Sequence, residues 1–63
     1  MPRIYFNLDG KKYSMVFAEE GSNKFAIVTS KYGITKKIIY EGYHIEKKVT
    51  MRDFLNTVKE LFT

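Results

Sequence analysis

Sixty-three residues with 44% hydrophobic and 16% aromatic side chains, a net charge of +4 and no cysteine describe one small folded domain, residues 1–63, not a disordered tail. A chain this short buries only about 60% of the surface its unfolded form exposes. Without cysteine and with a single histidine it has neither disulfides nor a metal to staple it, which leaves self-association as a homodimer.

Asp9-Gly10 reads as a two-residue hairpin turn inside a hairpin spanning about residues 3 to 18. Pairing Leu8 with Lys11 and counting outward sends Ile4, Phe6, Leu8, Tyr13, Met15 and Phe17 to a core side. The other side carries Arg3, Tyr5, Asn7, Lys12 and Ser14, with Val16 and Ala18 at its far end. Glu19 to Asn23 reads as a loop, and Lys24 to Ser30 as a strand dense in β-branched and aromatic residues. Lys31-Tyr32-Gly33 supplies the next turn. From Ile34 to Glu41 the alternation puts Ile34, Lys36, Ile38 and Tyr40 on one side and Thr35, Lys37, Ile39 and Glu41 on the other. Gly42 marks a bulge or bend, with Tyr43 to Val49 continuing the strand beyond it and turning Tyr43, Ile45 and Val49 inward.

Met51, Phe54, Leu55, Val58, Leu61 and Phe62 fall on one helical stripe. Thr50 reads as the N-cap with Asp53 three residues on, an acidic variant of the capping box, and Val49 and Phe54 occupy the staple positions. The expected fold class is therefore α+β: a four-stranded antiparallel sheet in the order β-β-β-β-α, with the C-terminal amphipathic helix packed on one face and the other face open.

Eleven basic residues against seven acidic ones, with a pI near 9.4, favour a polyanionic partner. Each half of the chain carries +2, so a cationic patch must be assembled by folding. No apolar run approaches the roughly 20 residues a membrane span needs, so no membrane partner is expected. Arg3, Asn7, Asp9, Lys11 and Lys12 interrupt any signal-peptide core. These features point to a complete, soluble, cytoplasmic protein.

Catalysis needs a base converging on a nucleophile, and the chain offers only His44 beside Tyr43 and Glu46, read as an exposed strand histidine. No enzyme is expected, and no metal or other cofactor, since neither ligand spacing nor a glycine-rich phosphate cradle is present. The surface that combines cations with aromatic rings is the candidate site. Arg3, Tyr5, Lys12, Lys24 and Lys37 are its residues, cations for phosphates and Tyr5 for base stacking. Adjacent strand residues face opposite ways, so each lysine pair at 11-12, 36-37 and 47-48 gives a surface only one charge. The competing reading is a protein-interaction module, a small regulator or inhibitor of a larger protein, using Ile39, Val28, Val16 and Tyr5 or an edge strand.

In outline, four strands followed by a helix, the chain is similar to small single-strand-binding coactivator domains that dimerise through their helices, and in having strands followed by a C-terminal helix it also resembles the seven-kilodalton archaeal chromatin proteins and the sheet-reading arms of some recombinases. The likeness is one of architecture and size and matches no motif residue by residue.

Overall fold

The computed structural model describes residues 2–63. Strands β1 (Ile4–Leu8), β2 (Lys11–Glu20), β3 (Asn23–Ser30) and β4 (Thr35–Glu41) form one antiparallel meander in the order β1-β2-β3-β4, followed by α1 (Met51–Leu61). The α+β architecture is the one the sequence predicts.

Asp9 and Gly10 both adopt positive φ, 53° and 77°, the type I′ geometry whose twist matches the flanking strands. Gly10 takes this conformation without steric penalty, and Asp9 is one of the few other types that tolerate it. Leu8 therefore pairs with Lys11, Phe6 with Tyr13 and Ile4 with Met15, the register expected. The acidic segment after it departs from expectation: Glu19 and Glu20 remain in β2, Asn23 opens β3, and only Gly21-Ser22 turns. The third turn, Lys31-Tyr32-Gly33, is closed by backbone bonds between Ser30 and both Gly33 and Ile34. The Ser30 hydroxyl accepts from the amides of Tyr32 and Ile34. Ile34 falls outside β4.

Residues 43–49 do not extend β4. The reason is a lack of partner: β3 begins at Asn23, so beyond Glu41 there is no neighbouring backbone to pair with. The register also slips between Lys24, which faces Glu41, and Phe25, which faces Ile39, leaving Tyr40 as the bulged residue. At Gly42 the chain bends, and the Asn23 amide oxygen occupies the space a Cβ would need. Tyr43, expected inward, is 88% exposed, whereas Ile45 and Val49 are half-buried.

The core lies between the sheet and α1 and consists of Tyr13, Met15, Ala26, Val28, Ile38, Phe54 and Val58, with Phe6, Leu8, Tyr40, Val49, Leu55 and Phe62 packed around it. Val28 and Val58 are fully enclosed. Val28 therefore belongs to the covered side, not the open one; Ile27 stands where Val28 was expected. The helix start is as predicted. The Thr50 hydroxyl accepts from the Asp53 amide at 3.1 Å, and the Asp53 carboxylate receives the Thr50 amide in return, a complete capping box. Eleven residues of helix do not reach every apolar side chain on that face. Ile4, Phe17, Met51 and Leu61 stay partly exposed around its margin. Among the described residues no helix is long and apolar enough to cross a membrane.

Candidate nucleic-acid interface

The face away from α1 is built by the residues that alternate with the core. Tyr5, Ser14, Thr29 and Thr35 lie side by side across the four strands. Their small polar side chains leave Tyr5 standing clear, 77% exposed. Asn7 and Lys12 form the next pair toward the Asp9-Gly10 turn, and Lys31 follows from the neighbouring turn because Tyr13 is paired with Ser30. Tyr5, Lys12, Ser14, Thr29 and Lys31 together line a shallow depression of about 220 Å³. The Arg3 guanidinium donates to the Ser14 hydroxyl at 3.1 Å, which holds its charge beside the same depression.

Toward the opposite end the face changes character. Val16, Ile27 and Lys37 form one row, and Ala18, Phe25 and Ile39 the next. Phe25 is only 8% exposed despite facing away from the helix, and the Lys37 ammonium lies over its ring at 4.1 Å from the centroid. This cation–π contact holds the Lys37 ammonium on the open face, at the boundary between a cationic half and an apolar half.

Four of the five expected site residues, Arg3, Tyr5, Lys12 and Lys37, thus share the open face. Lys24 does not join them. Strand alternation groups it with Ala26 and Val28, and its ammonium is committed to Glu41 at 3.3 Å. That hydrogen bond, reinforced by the charges of Glu41 and Glu19, raises the Lys24 pKa above its ordinary value. Lys31 is the residue that sequence reading missed. Its position in a turn gave no facial assignment, and only the meander order brings it next to Lys12.

The arrangement offers a protruding phenol ring with Arg3, Lys12 and Lys31 around it and no carboxylate among the residues lining the depression. Such a surface can stack a planar base and neutralise flanking phosphates. The chain matches no protein-family model, no curated protein and no solved structure.

Proposed function

We propose that the protein binds nucleic acid through its open sheet face, as a small basic module without strong sequence specificity. The observation that carries this reading is Tyr5 projecting from a row of small polar side chains among three cations. Flat rings and tracking cations bind single strands whatever their sequence, because every base has a stackable face and every nucleotide a phosphate. The sequence-unspecific character follows from the mode of contact, a stacking ring and cations placed for phosphates, with the Arg3 guanidinium held against Ser14. On this reading the protein does its work by binding, not by catalysis.

The test is fluorescence anisotropy of labelled single- and double-stranded oligonucleotides. Binding is expected in low salt, and Tyr5→Ala should weaken it by about 5- to 150-fold, the span corresponding to one lost stack. Tyr5→Ala combined with Lys12→Ala should abolish it at micromolar concentrations. No binding at tens of micromolar protein in low salt, with the wild type folded, refutes the proposal.

A second reading, a protein-interaction module, is favoured by one observation: the apolar half of the same face, where Ile39 is 42% exposed beside Ile27 and Phe25. Exposed apolar surface on a sheet fits a protein partner or a second copy of this chain. Sedimentation of the protein alone separates these, since a homodimer through that half becomes monomeric in Ile39→Lys.

A further inference from the structure

The turns at Asp9-Gly10 and Lys31-Gly33 stand side by side at one end of the sheet, because Tyr13 pairs with Ser30. Between them and the end of α1 lies a groove of about 510 Å³. That volume falls within the range of small-molecule sites. Its floor is aromatic: the rings of Tyr13 and Phe62 have centroids 5.2 Å apart. Phe62 is held there as the C-cap, its amide donating to the Val58 carbonyl. One wall carries Tyr32 and Ile34, 81% and 53% exposed.

Lys11, Lys12 and Lys31 line the rest, and no aspartate or glutamate does. The nearby Asp9 carboxylate is already ion-paired with Lys59 at 3.4 Å. Among the described residues none of the three lysines is in an ion pair. Lys31 instead hovers 5.7 Å from the Tyr32 ring centroid. An aromatic cleft bounded by three cations without counter-charges complements a flat ring that carries an anion.

We propose that this groove seats one nucleoside monophosphate unit, its base against Tyr32 and Phe62 and its phosphate at Lys11, Lys12 and Lys31. The orientation follows from the helix. Its last carbonyls carry partial negative charge near Phe62, which repels the phosphate and leaves the lysine side as its place. The groove shares Lys12, Tyr13, Ser30 and Lys31 with the shallow depression around Tyr5. A strand lying on the open face therefore continues over the end of the sheet and sets one further nucleotide into the groove. This inference rests on the nucleic-acid reading and gives it a path and a terminus.

The experiment is a titration of the ¹⁵N-labelled full-length chain with adenosine monophosphate, with adenosine and inorganic phosphate as separate probes. The expected result is saturable shifts centred on the amides of Gly10, Lys11, Tyr32 and Gly33, with affinity well above that of either half-molecule. Tyr32→Ala should weaken binding about tenfold or more, and Lys11→Ala should weaken it while flattening its salt dependence. Both side chains lie at the surface, and the Tyr32 amide still donates to Ser30 in the variant, so the fold is retained. No groove shifts at millimolar adenosine monophosphate, or equal shifts with phosphate alone, overturn the inference. If oligonucleotides still bind in a Tyr5-dependent manner in that case, the open-face reading survives. Groove binding of the mononucleotide without any Tyr5-dependent oligonucleotide binding refutes the continuous path.

Discussion

The charge arrangement on the open face makes a quantitative prediction about salt. Arg3, Lys12, Lys31 and Lys37 are the cations on that face, and each phosphate neutralised on a single strand contributes roughly −0.7 to the slope of log K against log salt. Four contacts give a slope of roughly −2.8, and a strand that also reaches Lys11 raises its magnitude to roughly −3.5. Between 50 and 200 mM salt the affinity should therefore fall roughly 50- to 130-fold. Lys12→Ala should reduce the magnitude of the slope by about 0.7, whereas Lys24→Ala should leave it unchanged, because Lys24 is paired with Glu41 and grouped with the helix side. The assay is anisotropy of a labelled single-stranded oligonucleotide at four or more salt concentrations for the wild type and both variants. A slope shallower than about −1, or a Lys24 variant that flattens it as much as the Lys12 variant, would refute the assignment of cations to faces.

Two further predictions concern the framework that presents this face. Val28 and Val58 are both fully enclosed, so truncation to alanine removes the same two carbon groups and should cost on the order of 1.5 to 2.5 kcal/mol. Alanine improves a helix and weakens a strand, so Val28→Ala in β3 should be the more damaging by about 1 kcal/mol in urea denaturation; equal or reversed effects would contradict this propensity argument, and a loss below about 0.5 kcal/mol at either site would contradict the burial described. The Lys24–Glu41 pair should make its contribution to stability across neutral pH. A lysine pKa raised in the folded state contributes fully below the unfolded value, 10.5, and loses that contribution as pH climbs through the raised one. The stability difference between wild type and Lys24→Met should therefore stay constant from pH 6 to 9 and shrink only above 10.5, as followed by urea midpoints.

Where one local signal determined geometry, the sequence was sufficient. Asp9-Gly10 admits few conformations other than the observed turn, and that turn alone sets the register of β1 on β2 and the outward direction of Tyr5. The helix was equally legible, because Thr50, Asp53 and the spacing of Phe54 and Val58 specify its start and its buried side through contacts within a few residues. Features that depend on a distant partner were not. Tyr43 to Val49 alternates well enough to suggest a strand, but the length of β3 leaves it nothing to pair with. Val28 and Ile27 are equally apolar neighbours, and only the register against β2 decides which one meets the helix. The candidate site divides along the same line. Arg3, Tyr5 and Lys12 followed from the first hairpin, while Lys24 was misassigned together with Val28 because the register of β3 against β2 was not fixed by any local signal, and Lys31 required knowledge of which turns are adjacent.

Every strand of this sheet touches the strand beside it in the chain, so the hairpins can zip locally and with little loop entropy to overcome. The contacts that join the two ends of the polypeptide, Phe62 against Tyr13 and Lys59 to Asp9, arrive only when the helix docks. The aromatic floor between those turns is thus complete only with the helix docked. Any molecule lodged on it favours the docked helix over the undocked one by mass action, coupling occupancy at one tip of the sheet to closure of the whole core.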